Sequence, residues 1–321
     1  MSTIQAYTTA TRPLASASNI GLTIFNTTDK SINVSDGANW RGYQYDFSTE
    51  RFFQQFTDSA ASAYSLRKLD TSATAAVRVR RSSDNSEADI GFTANGDLDT
   101  SALTTHCGSD DGFVTKWYDQ SGNSNDGLQT STGSQPKIVS SGSVILQDGK
   151  PAIEFDGTDD FFSTTDYLGT PSEAHLFSVN KLTSTSNNFR PIFSKDLNTS
   201  DPIADFVYRY HNSSGIQMRI GNDDWGPTGA SGYSPYDVQN LITFEYNAST
   251  GEIFVNGLSV ASSNDPANTF TDSGADVLIG KHVNYNAYFI GTMQELIFYT
   301  SDQSSNRSSI ETNINSYYSI F

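Results

Sequence analysis

Residues 241–257 read LITFEYNASTGEIFVNG and give the clearest indication of the fold. Apolar and polar side chains alternate over residues 241–246, residues 247–251 are typical of a turn, and the alternation returns over residues 252–257. The Asn256-Gly257 pair at the end tolerates the positive φ angles that a tight hairpin requires. The stretch therefore predicts antiparallel strands joined by short turns.

Similar strand-like segments recur on both sides of this hairpin. They cover residues 77–80, 113–118, 151–155, 174–180, 191–194, 206–210, 216–220, 276–280 and 291–299. Helical patterns are short: a helix start near Ser48, and helices over residues 60–69, 99–107 and 309–318. Many short strands separated by turns rich in Asn, Asp, Gly and Ser predict an all-β fold, an antiparallel sandwich with a few short helices.

The N-terminal segment differs in character from the rest of the chain. Residues 21–26 and 31–37 alternate as strands around a polar turn, and Trp40 closes the unit. A lone hairpin of this size is barely stable in water, so it needs a partner surface. We therefore predict an attachment or oligomerisation hairpin over residues 1–47 and a β-sandwich over residues 48–321.

Composition and charge narrow the range of partners. The net charge is −17, which opposes binding to nucleic acid or to an anionic membrane surface. No segment approaches the ~20 apolar residues of a membrane helix, and the first residues do not resemble a signal peptide. Cys107 is the single cysteine, so an intrachain disulfide cannot form. We expect no nucleic-acid partner and no membrane insertion.

The C-terminal half resembles a known family. Residues 252–257 (EIFVNG), 277–280 (VLIG) and 289–299 (FIGTMQELIFY) are similar, in order and spacing, to laminin-G-like domains. This resemblance implies a concanavalin A/laminin-G-like jelly roll. Physical reasoning supports it: Gly291 permits close strand packing before the last long strand, and we expect Glu295 to point outward or pair with a neighbour.

A second resemblance covers residues 63–139. Residues 63–67 (AYSLR), 79–84 (VRRSSD) and 117–123 (WYDQSGN) are similar to the front of the arabinofuranosidase B catalytic domain, which is also a concanavalin-type sandwich. The same block is common in phage structural proteins with laminin-G-like domains. The resemblance therefore leaves two settings open, a glycoside hydrolase and a virion protein.

The N-terminal segment favours the virion setting. Residues 24–30 (IFNTTDK) and 34–40 (VSDGANW) resemble the short hairpins of phage tail-fibre proteins. We therefore predict a phage virion component, a tail fibre, spike or capsid decoration protein located in the virion. Its predicted partners are other virion proteins, sister subunits in a homotrimer, and a host surface polysaccharide. In the trimer, three copies of Ile24, Phe25, Ile32 and Val34 surround one axis.

Catalysis is the alternative, and one position argues against it. An arabinofuranosidase needs two carboxylates, one as nucleophile and one as acid/base. The resemblance implies a nucleophilic Glu just before a Leu-Phe-Ser run, which corresponds here to Ile192-Phe193-Ser194. The preceding residues 188–191 (NFRP) contain no carboxylate. We therefore predict no enzymatic activity; paired carboxylates about 5–10 Å apart in a cleft would restore the alternative.

Two loops combine aromatic rings with carboxylates and amides, a combination that suits sugars and protein interfaces alike. The candidate ligand-binding residues are Asp223, Asp224, Trp225, Asn284, Tyr285 and Tyr288. We interpret Asp119 as a residue that holds its own loop by side-chain to backbone hydrogen bonds. No cofactor is predicted. An acidic turn contains Asp156, Asp159 and Asp160, whose carboxylate oxygens are ligands that Ca²⁺ accepts. Such Asp-Gly turns are also common without a metal, so calcium is a possible ligand here and not a predicted cofactor.

Overall fold

The computed structural model describes residues 5–7, 10–11, 13–14, 16, 18, 23–26, 31–35, 38–43, 59–183, 189–196, 204–211, 215–221, 223–225, 236–247, 250–263, 270, 272–282 and 286–321. Contacts divide the chain into two units, Met1–Phe52 and Phe53–Phe321. None of the helices in these described stretches is both long and apolar enough to cross a membrane.

The N-terminal unit contains a four-stranded sheet. Its strands are β1 (Gln5–Tyr7), β2 (Thr23–Asn26), β3 (Ser31–Ser35) and β4 (Trp40–Tyr43). β2 and β3 form the predicted hairpin, but β1 adds a parallel strand beside β2, and Trp40 begins β4 instead of closing the unit. Ile24 is already buried within the chain, so this residue does not need a sister subunit to leave water.

The second unit is built almost entirely from strands. They are β5 (Ser62–Ser65), β6 (Val77–Arg81), β7 (Glu87–Ile90), β8 (Gly112–Trp117), β9 (Gly127–Leu128), β10 (Lys137–Ser140), β11 (Ser143–Val144), β12 (Leu146–Gln147), β13 (Lys150–Pro151), β14 (Ile153–Asp156), β15 (Phe162–Thr164), β16 (Glu173–Leu182), β17 (Phe189–Asp196), β18 (Ala204–His211), β19 (Gly215–Gly221), β20 (Asp223–Trp225), β21 (Gln239–Asn247), β22 (Thr250–Val255), β23 (Leu258–Ser263), β24 (Val277–Ile279), β25 (Lys281–His282), β26 (Ala287–Tyr288) and β27 (Ile290–Tyr299). The helices are α1 (Thr100–Cys107), α2 (Arg307–Tyr318) and a 3₁₀ turn (Thr132–Ser134).

Antiparallel pairing arranges these strands in two layers. One layer runs β23-β22-β21-β16-β27-β5, and the other includes β20-β19-β18-β17-β24-β15. Aromatic side chains join the layers: the Tyr208 ring stacks on Phe244 at 3.9 Å between centroids, and Phe193 stacks on Phe298 at 5.1 Å. All four rings are almost fully buried, which makes this seam the centre of the sandwich core and confirms the predicted all-β sandwich.

The outer face of the first layer is covered by α2. Ile310, Ile314 and Tyr318 pack on Phe177 and Val179 of β16 to form a second buried cluster. The predicted helix over residues 309–318 is therefore confirmed, and it covers its own sandwich. Tyr318 is 3% exposed, so its ring belongs to the core of this chain.

The predicted helix over residues 60–69 is wrong. Ser62–Ser65 form β5, which pairs with β27 so that Ser65 lies opposite Glu295 and Ser62 opposite Phe298. All four residues of β5 are buried. Burial against β27 therefore outweighs the helix propensity of this alanine-rich segment. The helix start predicted near Ser48 lies outside the described residues.

Two glycine positions behave as the sequence predicts. Asn256 and Gly257 have φ angles of 51° and 78° and turn β22 directly into β23, with Val255 opposite Leu258. Gly291 has a φ of 136°, and a Cβ atom added there would lie 2.0 Å from the carbonyl oxygen of Lys181. Only glycine allows β27 to approach β16 this closely.

Candidate functional site

The structure places the predicted ligand-binding residues in different sheets. Asp223, Asp224 and Trp225 form β20, which pairs with β19. Tyr288 lies in β26, which pairs with β25 in a separate two-stranded sheet. Asn284 and Tyr285 lie outside the described residues. Sugar binding by these two loops stays a prediction.

Tyr288 is buried and engaged in contacts. Its hydroxyl contacts the side-chain oxygen of Asn286 at 3.1 Å, and its ring lies 6.4 Å from that of Phe161. The Lys281 ammonium sits over both rings, 4.0 Å from the Phe161 centroid and 5.5 Å from that of Tyr288. Burial is the main cause that raises the pKa of Tyr288, and the Asp159 carboxylate adds to it.

Asp119 holds its own loop, as predicted. Its Oδ1 accepts hydrogen bonds from the backbone N–H groups of Ala63 and Ser121, at 2.8 and 2.9 Å. Its Oδ2 accepts from the Ser121 hydroxyl and from the Asn125 N–H, at 2.8 and 2.9 Å. Both carboxylate oxygens are thus occupied by the loop and by the start of β5, so Asp119 is a structural residue.

We expect Asp119→Ala to lower the free energy of unfolding by about 2 kcal/mol, because it leaves several N–H and O–H donors without their charged acceptor. Urea unfolding followed by circular dichroism measures this change. Glu87→Ala is the matched control: Glu87 is exposed on β7, and surface changes of this kind usually stay within about 0.5 kcal/mol. Equal stability of the two variants would contradict the structural role.

The resemblance to arabinofuranosidases places a nucleophilic Glu just before Ile192. The described residues of β17 at that place contain no carboxylate. Phe189, Arg190 and Pro191 occupy these positions, and Arg190 donates to the carbonyl oxygen of Tyr288 at 2.9 Å. Asn188 lies outside the described residues. A hydrolytic site on this chain must therefore draw its carboxylates from elsewhere on the sandwich.

One acidic group lies at the turn after β14. Oxygen atoms of Asp156, Asp159 and Asp160 lie within 4.8 Å of one another. Burial raises the pKa of Asp160 to about 7. Most of the contacts of Asp156 and Asp160 are internal to the turn, since Asp156 accepts from the Thr158 N–H and Asp160 accepts from the Asp156 N–H. Calcium binding by this turn stays a prediction.

A second acidic group lies on the α2 face of the sandwich, and we call it the Glu245 site. Strand register places His175 of β16 opposite Glu245 of β21, and Glu245 opposite Glu252 of β22. Directly opposite residues have Cβ atoms about 4.5–5.5 Å apart, so the two carboxylates share one face at close range. A cavity of about 270 Å³ opens here, lined by His175, Glu245, Asn247, Thr250, Gly251, Glu252, Ser262, Ser263 and Ser304.

His175 is a fully buried residue beside this cavity. Its Nε2 accepts from the Gln303 N–H at 3.4 Å, which assigns the ring proton to Nδ1. Nδ1 lies 3.8 Å from Glu245 Oε1, beyond hydrogen-bond range, and it has no hydrogen-bond partner among the described residues. Burial lowers the pKa of His175 to about 4, so the imidazole is neutral at pH 7.

Glu245 is the buried member of the carboxylate pair. Its side chain is 14% exposed, and burial is the main cause that raises its pKa to about 7. The Arg307 guanidinium, 3.3 Å from Oε1, opposes this shift, while the carboxylates of Glu252, Glu311 and Asp302 reinforce it. Near neutral pH a substantial fraction of Glu245 is thus protonated and able to donate a proton.

Glu252 is the second carboxylate of the pair. It lines the cavity and accepts a hydrogen bond from the Ser259 hydroxyl across the β22–β23 hairpin. A protonated acid beside a second carboxylate is the arrangement that acid-catalysed glycoside cleavage requires. The sequence predicts this hairpin but not the carboxylate pair. Glu245 and Glu252 meet only because Asn247 pairs with Thr250, which sets the register of β21 against β22.

Comparisons with known proteins agree with the fold. A family model described as alpha-L-arabinofuranosidase B, catalytic, matches residues 56–150. A model described as concanavalin A-like lectin/glucanases superfamily matches residues 156–306. No curated protein sequence matches the chain.

Solved structures of arabinofuranosidases are similar to most of the chain. A mutant of a GH54 α-L-arabinofuranosidase soaked with 4-nitrophenyl α-L-arabinofuranoside has a TM-score of 0.65 and 18% identity, over 84% of this chain and 65% of that protein. An arabinofuranosidase complexed with arabinofuranosyl-α-1,2-xylobiose has a TM-score of 0.65 and 17% identity, over 84% of this chain and 64% of that one. The chain thus spans just under two thirds of their length.

These findings correct two predictions. The prediction of a phage virion component is wrong, because the arabinofuranosidase catalytic model and the similar arabinofuranosidase structures favour a glycoside hydrolase over a phage structural role. The prediction that the chain is not an enzyme is wrong for the same reason. It rested on one missing carboxylate before Ile192, whereas Glu245 and Glu252 form a pair at another position. The homotrimer stays a prediction.

Proposed function

We propose that this chain is a retaining glycoside hydrolase whose reaction takes place in the Glu245 site. The observation that carries the proposal is the register of β21 and β22, which sets Glu245 directly opposite Glu252 in one polar cavity. The match to an arabinofuranosidase catalytic family and the similar glycosidase structures support the reaction class.

The two carboxylates take different roles because their surroundings differ. In the first step a Glu252 oxygen attacks the anomeric carbon while protonated Glu245 donates its proton to the departing glycosidic oxygen, and the carbon–oxygen bond breaks. In the second step ionised Glu245 removes a proton from water, whose oxygen displaces Glu252 from the same carbon. Carboxylates about 5–5.5 Å apart favour this double displacement, which retains the anomeric configuration.

His175 supports Glu245 in this scheme. Its Nδ1 lies 3.8 Å from Glu245 Oε1, and both atoms are enclosed. The neutral imidazole therefore helps to keep the Glu245 carboxyl buried, which is the main cause of its raised pKa. The Asn247 and Ser262 side chains, on the cavity wall, offer polar contacts to hydroxyl groups.

A panel of 4-nitrophenyl glycosides tests the proposal. It begins with the α-L-arabinofuranoside, the compound soaked into the similar GH54 structure. We expect nitrophenolate release from at least one panel member, with the first product formed in the anomeric configuration of the substrate by proton NMR. Release with inverted configuration would contradict the double displacement, and no release from any glycoside would contradict the proposed function.

A further inference from the structure

Arg307, the first residue of α2, lies against the enclosed side of the Glu245 carboxyl. Its Nε is 3.3 Å from Glu245 Oε1, and the side chains of this pair are 20% and 14% exposed. Oε1 is enclosed and accepts no hydrogen bond from the described residues, so the contact is one of charge. Glu245 lines the cavity, and since Oε1 is enclosed, Oε2 is the oxygen that reaches it.

The Arg307 guanidinium is held on two further sides. Its Nη1 donates to Glu311 Oε2 at 2.8 Å, one turn along α2, and its central carbon lies 3.7 Å from the centroid of the Phe254 ring on β22. Glu311 is 4% exposed and accepts at Oε1 from the Thr243 hydroxyl of β21 at 2.8 Å. The sheet and the helix together therefore set the position of this cation, independently of Glu245.

We propose that Arg307 is a positioning residue of the Glu245 site, which directs the acid proton of Glu245 towards the cavity and assists its later loss. The proposal rests on the proposed function and adds to it a residue outside the carboxylate pair. A proton on Oε1 would face the guanidinium, so the protonated carboxyl carries its proton on Oε2, where a glycosidic oxygen can receive it. The same positive charge favours ionised Glu245, which the second step of the reaction needs.

The other charged groups at the site act against Arg307. The groups that face Glu245 are neutral His175 from β16, Glu252 from β22, Asp302 from the loop before α2, and Arg307 and Glu311 from α2. Arg307 is the only one of these groups that lowers the pKa of Glu245, which burial and the three carboxylates raise to about 7. Removing Arg307 should therefore raise this pKa further, and removing the negative charge of Glu311 should lower it.

Titration of Glu245 by NMR tests the proposal without reference to activity. The side-chain carboxyl carbon of Glu245 is followed in carbon-13-labelled protein and assigned by its loss in Glu245→Gln. In Arg307→Met the midpoint should rise by about 1 pH unit or more, because a cation at this range lowers a carboxyl pKa by that amount. In Glu311→Gln the midpoint should fall. In Arg307→Lys, which keeps the charge, it should lie closer to the wild-type midpoint than in Arg307→Met.

Kinetics with a 2,4-dinitrophenyl glycoside test the effect on the second step. This leaving group departs without protonation, so kcat/KM reports a first step that needs no acid, whereas the second step needs ionised Glu245. Arg307→Met should lower kcat severalfold at pH 7 with little change in kcat/KM, and a burst of dinitrophenolate should precede the steady state. Arg78→Met is the matched control: Arg78 pairs with Asp89 where both side chains are more than 40% exposed, and its loss should change neither quantity.

The outcomes separate this proposal from the proposed function. An unchanged Glu245 titration in folded Arg307→Met would overturn the positioning role, and cleavage of glycosides by the wild type would then still support the hydrolase. If Arg307→Met does not fold, Glu311→Gln decides, because a midpoint that rises or stays unchanged there would overturn the proposal. The expected shifts in a chain that cleaves no glycoside would retain the link between Arg307 and Glu245 and overturn the hydrolase.

Discussion

Replacing Glu252 by Gln should lower kcat/KM by roughly 10⁴-fold, about 5.4 kcal/mol, for the glycoside that the wild-type chain cleaves best. An amide at this position keeps the shape of the side chain but cannot form the covalent glycosyl intermediate. The substitution tests chemistry more than folding, since Glu252 is partly exposed and glutamine keeps a side-chain oxygen that can accept from Ser259.

Glu245→Gln should show a different pattern that identifies the acid. Its loss should be roughly 10²–10⁴-fold for a poor leaving group and much smaller for 2,4-dinitrophenolate, which departs without protonation. Glu245 must hold its proton to act as an acid, and its pKa is raised to about 7. Wild-type kcat/KM should therefore fall as pH rises through about 7, and this fall should disappear in Glu245→Gln.

Two further variants test whether Glu245 and Glu252 are the catalytic carboxylates. Glu87→Gln removes an exposed carboxylate from β7, outside the Glu245 site, and should leave turnover unchanged. Asp160→Asn tests the other acidic group, whose buried carboxyl also has a pKa near 7. Loss of turnover in Asp160→Asn, with normal turnover in Glu252→Gln, would move the active site to the turn after β14.

The fold was largely predictable because its signals are local. Alternation over residues 241–246 and the Asn256-Gly257 turn depend on neighbours in sequence, and both are present in the structure. The helix prediction at Ser62–Ser65 failed because the structure of this segment is set by a distant one. Its strand state depends on β27, more than 200 residues later, and no local pattern records that pairing.

The candidate site was harder to predict because it depends on register. The turn after residue 246 was assigned to residues 247–251, whereas Asn247 already pairs with Thr250. In a strand pair the register decides which side chains meet, so only the shorter turn brings Glu245 opposite Glu252. His175 adds a third strand from a distant segment, which no hairpin pattern contains.

The functional prediction failed by relying on a single position. The missing carboxylate before Ile192 is real, since Phe189, Arg190 and Pro191 occupy β17 there. It argues against one placement of a nucleophile and says little about others on the same sandwich. At 18% identity with the similar structures, transfer of one residue's role carries little weight, whereas a carboxylate pair can be judged by its geometry.

A buried ion pair between the sheet and α2 gives the largest expected effect on stability. The Arg67 guanidinium makes two bonds to Glu295, with Nε donating to Oε2 at 2.7 Å and Nη2 to Oε1 at 2.9 Å. Glu295 is fully buried on β27 and also accepts from the Ser65 hydroxyl at 2.7 Å. From α2, Asn313 accepts from Arg67 at 2.8 Å, so the pair joins β5, β27 and the helix.

Glu295→Gln should therefore lower the free energy of unfolding by about 3–5 kcal/mol, because it leaves the Arg67 charge buried without its counter-ion. The double variant Arg67→Met/Glu295→Leu should recover much of this loss, since a buried pair replaced by apolar groups of similar size is often nearly neutral. Asp89→Asn is the matched control: Asp89 pairs with Arg78 with both side chains more than 40% exposed, and such pairs contribute under about 1 kcal/mol. Urea unfolding of all three variants measures these changes, and a loss in Glu295→Gln no larger than in Asp89→Asn would show that the buried pair does not hold α2 on the sandwich.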